Sequence, residues 1–212
     1  MNAPRARFAA LLCLSMGVIA IPALAQNVVT DLVPPTDATV VAGPRVAFET
    51  SMGRVVVELY PEKAPRTVEN FLGYVRDGHY NGTIFHRVIA DLLIQGGAFT
   101  PDLQQKPERA PIANEANNGL SNLRGTLSAA RRNGQKDSAT AQFFINTVDN
   151  RQFDYRGDAT PALTGYCVFG RVVEGLEVID KIRAVPTAAR PPFPADVPVT
   201  AVVIERASIV EP

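Results

Sequence analysis

Histidine and cysteine are scarce in this sequence, which contains two of each among its 212 residues. No cysteine pair has the CxxC spacing and no HExxH stretch occurs, so we predict no metal site and no bound cofactor. Ser128 and Ser138 have no histidine nearby in a fitting motif, so no nucleophile is paired with a base. The sequence therefore lacks the residue patterns of the common hydrolytic and metal-dependent enzymes.

Net charge is absent as well, because 21 basic residues balance 21 acidic ones and no basic run stands out. Domains that bind nucleic acid usually carry a clustered basic surface, so we expect no nucleic-acid partner. Apolar residues make up 46% of the chain and charged residues 20%, which is typical of a soluble globular domain.

The start of the chain differs from the rest. Arg5 and Arg7 precede the uncharged stretch FAALLCLSMGVIAIPALA, which finishes in an A-x-A pattern at Ala25. This arrangement predicts a cleaved signal peptide over residues 1–25. A retained anchor is the alternative, because about 18 apolar residues can span a bilayer, but Pro22 and the A-x-A pattern argue against it. We therefore expect an exported protein with no stable membrane association after cleavage. Its location would be the periplasm, or the medium where no outer membrane exists.

Two further parts follow the signal peptide. Residues 26–44 contain three prolines and few large side chains, which predicts a flexible, proline-containing leader. Residues 45–212 are expected to form the folded domain. Cleavage would leave Cys167 as its only cysteine, so no internal disulfide is expected.

Alternation of apolar and polar residues dominates this domain and predicts mainly strands. The first two form a hairpin, RVAFETSMGRVVVELY, that turns at Gly53. Helical periodicity occurs in APRTVENFLGYVRDGHY and in EGLEVIDKIRAV. The order of elements lacks the regular alternation of a parallel α/β fold, so antiparallel strands with helical caps indicate a closed barrel. The remaining strands are predicted around residues 83–89, 93–97, 125–129, 142–147 and 166–171, with a last one in VTAVVIERASIV.

Strand alternation gathers different kinds of side chain on one surface. Leu93 and Gln95 share a face because they are two residues apart, and so do Gln142 and Phe144. Arg87 adds a cation from the neighbouring strand of the stretch FHRVIADLLIQGGAFT. An apolar wall with a few polar groups is typical of a pocket for a small ligand or a peptide.

The surroundings of Arg87 suggest two expectations. So apolar a segment is expected to be buried, and a buried guanidinium without a partner is costly. If Arg87 had only a structural role, it would pair with a carboxylate such as Asp91 or Glu115 inside a closed core. His86 is expected to point to the opposite face, as a core or supporting histidine that makes hydrogen bonds.

A cation, an amide and apolar groups, without an acid, a base or a metal, suit rotation about a bond. The peptide C–N bond resists rotation by about 18–20 kcal/mol because resonance gives it double-bond character. Before proline the cis and trans forms differ by only about 0.5–1 kcal/mol. A guanidinium that donates to the prolyl nitrogen would localise the lone pair and lower the barrier, while an apolar pocket holds the ring.

Four stretches resemble the cyclophilin family of peptidyl-prolyl cis-trans isomerases: FHRVIADLLIQGGAFT, PIANEANNGLSNLRGTLSAAR, KDSATAQFFINTVDN and GYCVFGRVVEGLEVIDKI. The resemblance runs over residues 46–210 and is closest to the exported bacterial cyclophilins. It implies a mostly β fold, a closed eight-stranded antiparallel β-barrel capped by two α-helices. It also implies an isomerase that rotates X-Pro bonds in unfolded or folding exported proteins and assists their folding. We expect this isomerase to be a monomer.

The resemblance assigns roles to particular residues. Arg87 corresponds to the catalytic arginine that hydrogen-bonds to the prolyl amide, and Gln95 to the glutamine that orients this arginine and the substrate carbonyl. Phe144 corresponds to the floor of the proline pocket. The other substrate-binding positions that it implies are Leu92, Leu93, Phe153 and Tyr166 around the floor, Gln142 in the adjacent groove, and the main chain of Ala130 and Arg131.

The chain departs from the family pattern in the pocket wall. Leu92 and Leu93 stand where the family usually has Phe-Met, so ring stacking is lost although apolar area remains. This leaves an alternative function, a cyclophilin-like module or chaperone that binds proline-containing segments with little or no turnover. The retained Arg87, Gln95 and Phe144 argue for the isomerase.

We expect cyclosporin to inhibit this protein only weakly. Gln152 stands at the position of the family's tryptophan that is linked to cyclosporin binding, so that aromatic contact is missing. A prolyl-peptide isomerisation assay with increasing cyclosporin measures the effect, and inhibition in the nanomolar range would contradict the expectation.

Overall fold

The computed structural model describes residues 43–210, so the predicted signal peptide and most of the predicted leader lie outside the described residues. Within this part the chain forms ten strands, two α-helices and one short 3-10 turn. The helices are α1 (Pro65–Arg76) and α2 (Leu176–Arg183), and the 3-10 turn covers Arg151–Phe153. The strands are β1 (Arg45–Thr50), β2 (Gly53–Leu59), β3 (Thr83–Ile89), β4 (Leu93–Gly96), β5 (Thr126–Ala129), β6 (Phe143–Asn146), β7 (Val168–Glu174), β8 (Thr187–Arg190), β9 (Phe193–Pro198) and β10 (Val203–Val210).

Eight of these strands close into a barrel in the order β1-β10-β3-β4-β6-β5-β7-β2. Every pair of neighbours around the barrel is antiparallel. Closure leaves no unpaired edge in this sheet. The structure thus confirms the expected eight-stranded antiparallel barrel with two helices.

Aromatic rings in the core connect the barrel to helix α1. Phe48 of β1 stacks on Phe143 of β6 with ring centroids 5.3 Å apart. Phe71 of α1 packs edge-on against Phe143 at 5.8 Å, which ties the helix to the barrel. The helix ends before Gly78, whose φ of +66° suits glycine. No helix within residues 43–210 is long and apolar enough to cross a bilayer.

Strand β3 contains a β-bulge between Phe85 and Arg87, where its register with β4 shifts. Phe85 and Val88 both belong to the core inside the barrel. A regular strand would point two residues at this spacing to opposite faces, so the bulge must supply one extra residue. As a result Arg87 lies on the outer face, directly opposite Gln95 of β4.

The hairpin of β8 and β9 lies apart from the barrel sheet and packs on the outer face of β3. Val197 of β9 is buried against Ile84 of β3, and Phe193 packs against the same cluster. Sequence patterns did not predict this hairpin, because VPTAARPPFPADVP contains five prolines and no clear alternation.

His86 occupies the bulge, and its ring lies against Phe99 and Phe193 with centroids 4.7 and 5.4 Å apart. It is buried as expected, but it faces the hairpin on the outer side of β3 because the bulge breaks the alternation. The expected hydrogen bond is also missing, since Nδ1 has no partner among the described residues. Burial, reinforced by the charge of Arg87, lowers the pKa of His86 to about 4.

We expect His86 to make stability depend on pH. In the unfolded chain the imidazole takes up a proton below its ordinary pKa of 6.5, whereas in the folded protein it stays neutral down to about pH 4. The contribution to the free energy of unfolding is therefore complete above pH 6.5 and is lost as the pH falls toward 4. The loss should reach about 2–3 kcal/mol, which urea denaturation at about pH 7 and pH 4.5 measures.

His86→Leu provides the comparison, because leucine fills the apolar site and does not titrate. Carboxylates contribute to the acid destabilisation of both proteins equally. The variant should lose less stability than the wild type over the same pH interval, and equal losses would show that His86 is not the cause.

Candidate active site

A row of side chains crosses the outer face of three neighbouring strands. Arg87 of β3 pairs in register with Gln95 of β4, and Gln95 pairs with Phe144 of β6. Residues directly opposite each other point to the same face of a sheet. Ile94 and Phe143, which precede Gln95 and Phe144 in their strands, point the other way and belong to the core inside the barrel. The surface that strand alternation predicted is therefore present, with a cation, an amide and a ring side by side.

Arg87 reaches the surface, although Phe85, His86 and Val88 beside it are buried. Its side chain is 44% exposed, and its Nε lies 3.6 Å from Oδ2 of Asp196 on β9. Neither carboxylate considered for a structural pair contacts it. Asp91 pairs with Arg183, and Glu115 accepts hydrogen bonds from the start of α1. A closed core with a neutralised arginine is therefore ruled out.

The two glutamines of the site are joined. Nε2 of Gln95 donates to Oε1 of Gln142 at 2.9 Å, and both side chains are half-buried. No hydrogen bond between Gln95 and Arg87 is present in the part of the chain described. Gln95 thus extends a polar strip across β4 toward Gln142, instead of holding the arginine directly.

A cavity of about 200 Å³ opens beside this amide pair. Besides both glutamines, its walls include Ala130, Thr140 and Glu108. The Glu108 side chain is only 12% exposed, and its Oε1 has no hydrogen-bond partner within residues 43–210. The cavity gives space for the chain of a bound peptide to continue past the polar strip.

The apolar half of the site is a small cluster that is separate from the barrel core. Leu93, Ala130 and Phe144 are its buried members. Phe144 is 2% exposed and forms the base, while the rings of Phe153 and Tyr166 stand edge-on to it with centroids 5.9 and 5.4 Å away. Leu92 completes the set as a partly buried residue at the side. The structure therefore brings together all the apolar positions that the resemblance implied.

Arg131 supports the site through its side chain. Its guanidinium carbon lies 4.6 Å from the centroid of the Tyr166 ring, and its Nε donates to the main-chain oxygen of Gly165 at 3.0 Å. A cation over the face of an aromatic ring is attractive, so Arg131 holds Tyr166 in place. The main-chain N–H of Ala130 already donates to Gln142, so it is not free to pair with a peptide. The main chain of Arg131 has no such bond in the described region.

Buried asparagines that sequence reasoning missed hold the apolar wall. Nδ2 of Asn150 donates to the main-chain oxygen of Leu92 and to Oδ1 of Asn146, both at 2.7 Å. The N–H of Thr147 donates to the same Leu92 oxygen at 3.1 Å. The available signal was the pair of asparagines in INTVDN, because a buried amide must find hydrogen-bond partners.

The chemistry open to this site follows from its side chains. Arginine is always charged and can only donate, whereas the amides and rings take up no proton near neutral pH. The arrangement can therefore bind an apolar ring, donate hydrogen bonds from a cation and align a polar main chain. It has no group in the row that exchanges a proton with a substrate near neutral pH.

Comparison with known proteins agrees with this geometry. The sequence model of the family described as cyclophilin type peptidyl-prolyl cis-trans isomerase/CLD matches residues 45–209. The peptidyl-prolyl cis-trans isomerase cyp18 of Streptomyces antibioticus is 57% identical over 164 residues, which cover 77% of this chain and 97% of that protein. Peptidyl-prolyl cis-trans isomerase B of Escherichia coli (strain K12) is 51% identical over 166 residues, covering 78% and 99% respectively.

A solved structure shows the same fold. The cyclophilin type peptidyl-prolyl cis-trans isomerase of Cryptosporidium parvum superposes with a TM-score of 0.67 at 24% identity, over 80% of this chain and 98% of that one. The barrel, the site on its outer face and the identity to named isomerases lead to one conclusion. This chain belongs to the cyclophilin family and is a peptidyl-prolyl cis-trans isomerase.

Proposed function

We propose that this isomerase acts on X-Pro bonds of exported proteins and assists their folding, in the periplasm or, without an outer membrane, outside the cell. The support is the signal-peptide pattern of residues 1–25, which precedes the region matched by the family. The mature protein would begin at Gln26, continue through the proline-containing leader and carry the isomerase domain from residue 45.

The observation that carries the catalytic proposal is the half-exposed guanidinium of Arg87 on the same outer face as the apolar cluster around Phe144, with Gln95 between them. The proline ring lies against Phe144, and Arg87 donates to the prolyl nitrogen. This bond localises the nitrogen lone pair, so the C–N bond loses double-bond character and rotates more easily. A second structure of the Cryptosporidium parvum protein was determined in the presence of the dipeptide Ala-Pro, which supports a proline-containing peptide as the ligand of this site.

The polar strip orients the rest of the peptide. Gln95 and Gln142 face the cavity, so their amides can bond the main chain on one side of the proline. Arg131, whose main chain makes no hydrogen bond to another main-chain group within residues 43–210, borders the same cavity. Leu92, Leu93, Phe153 and Tyr166 enclose the ring from the other sides.

The expected free energies indicate different roles for Arg87 and for the apolar pocket. A preorganised donor in an enclosed site lowers a transition state by about 3–4 kcal/mol. Apolar walls bind the ground state and the transition state about equally, so they contribute to affinity more than to turnover. Arg87 should therefore dominate the rate of rotation, and Phe144 should dominate the binding of the ring.

Arg87→Ala should lower kcat/KM by about two to three orders of magnitude and leave the fold intact, because it removes the donor from an exposed position. NMR exchange between the cis and trans forms of a short Ala-Pro peptide measures the effect directly. The matched control is Arg54→Ala, which removes an exposed arginine of similar contacts from β2 and should keep wild-type activity.

The same spectra distinguish the isomerase from the binding module. If wild-type protein changes the NMR chemical shifts of the peptide but does not speed the exchange between its cis and trans forms, a binding module with little turnover would be favoured. A loss below about fivefold in Arg87→Ala would reject the role of this arginine, since a single exposed ion pair can account for that much.

The proposal of export predicts cleavage after Ala25. Expression of the full sequence in a Gram-negative host should yield a periplasmic protein whose first residue is Gln26, because the A-x-A pattern lies immediately before it. Cell fractionation with mass spectrometry of the purified protein tests this. Uncleaved protein in the cytosolic fraction would refute export while leaving the isomerase activity untouched.

A further inference from the structure

The described part of the chain gives Arg87 one ionic partner, Asp196. The distance from Nε of Arg87 to Oδ2 of Asp196 is 3.6 Å, and the Asp196 side chain is 36% exposed. The two residues lie on separate sheets, one on β3 of the barrel and one on β9 of the added hairpin. This contact therefore connects the hairpin to the site.

The hairpin is well fixed at the point of contact. Val197, next to Asp196, is 2% exposed and lies in a cluster with Ile84 of β3 and Leu103. Phe193, at the other end of β9, packs against the ring of His86. Because both ends of β9 are anchored on β3, the carboxylate of Asp196 keeps its place relative to Arg87.

The backbone at Asp196 is adapted to this contact. Its φ is +66°, a left-handed conformation that only two non-glycine residues adopt within residues 43–210. Aspartate and asparagine tolerate it better than most residues. Asp196 thus interrupts the regular strand geometry at the position where its carboxylate reaches the arginine.

The shape of the guanidinium explains how the contact with Asp196 can orient Arg87. A guanidinium donates from Nε on one edge and from two terminal nitrogens on the others. A carboxylate that attracts the guanidinium from its Nε edge leaves the terminal nitrogens for another ligand. Gln95, the residue expected to orient Arg87, uses its amide nitrogen to bond Gln142. The ionic contact that the structure shows for Arg87 comes from the β8–β9 hairpin.

We propose that Asp196 is a positioning residue, which holds the Arg87 guanidinium by its Nε edge so that the terminal nitrogens point at the prolyl nitrogen. The inference rests on the proposed role of Arg87. Asp196 does not touch the substrate, and the β8–β9 hairpin is then part of the catalytic apparatus as well as of the fold.

The test is Asp196→Asn, which keeps the size of the side chain and tolerance of the positive φ but removes the charge. We expect kcat/KM for an Ala-Pro peptide to fall about fivefold, mainly through kcat, because an exposed ion pair contributes at most that much. Asp196→Gly should show the same loss, since glycine suits the backbone and also lacks the carboxylate. Wild-type activity in the glycine variant would show that the carboxylate is not needed and would overturn the proposal.

Two further measurements, the salt dependence of kcat/KM and the activity of a double variant, distinguish a positioning role of Asp196 from a merely structural one. Raising NaCl from about 0.05 to 1 M should lower wild-type kcat/KM toward that of Asp196→Asn, because exposed charges are screened, and should affect the variant less. In an Arg87→Ala background, Asp196→Asn should have no further effect. Additive losses would contradict the proposal.

The matched control is Glu49→Gln. Glu49 Oε1 lies 3.7 Å from Nε of Arg54, an exposed pair of nearly the same geometry on the β1–β2 hairpin, and its loss should leave kcat/KM unchanged. If Arg87→Ala retains activity, the proposed role of Arg87 fails. If Arg87→Ala is inactive and Asp196→Asn matches the wild type, only the role of Asp196 fails.

Discussion

The bulge in β3 is the constraint on which the site depends. It lets Phe85 and Val88 both enter the barrel while Arg87 remains on the outer face. One regular strand cannot satisfy these demands, because its side chains alternate strictly. The extra residue, His86, packs against Phe99 and against Phe193 of the β8–β9 hairpin, so the feature that positions the arginine also provides part of the surface on which the hairpin docks.

The site has an apolar half and a charged half, which act on the peptide through different interactions. The apolar cluster around Phe144 binds the proline ring about equally well in the ground state and in the transition state of rotation. Buried asparagines keep its wall in place. The cation is half-exposed, so water solvates its charge. A bound peptide excludes water from it, and a donor in a less polar environment interacts more strongly. The substrate thus helps to complete the site that acts on it.

Much of this arrangement is predictable from the sequence, for identifiable reasons. Alternation in LIQG and AQFFIN correctly placed Gln95 and Phe144 on one face, because β4 and β6 are regular there. The face of His86 was predicted wrongly, since a bulge leaves no period in so short a strand. The partner of Arg87 was missed because Asp196 lies in a proline-rich segment with no strand pattern, far along the chain. Contacts of this kind depend on tertiary packing, which local patterns do not encode.

The central claim is that a permanently charged donor accelerates bond rotation without any transfer of a proton. The pH profile of kcat/KM tests it most directly, measured by NMR exchange on a prolyl peptide that has no titrating group. The account predicts a level profile from about pH 5.5 to 9, because arginine stays protonated there and His86 titrates only at about pH 4. A bell-shaped profile with an apparent pKa inside this interval would reveal a general acid or base and contradict the account.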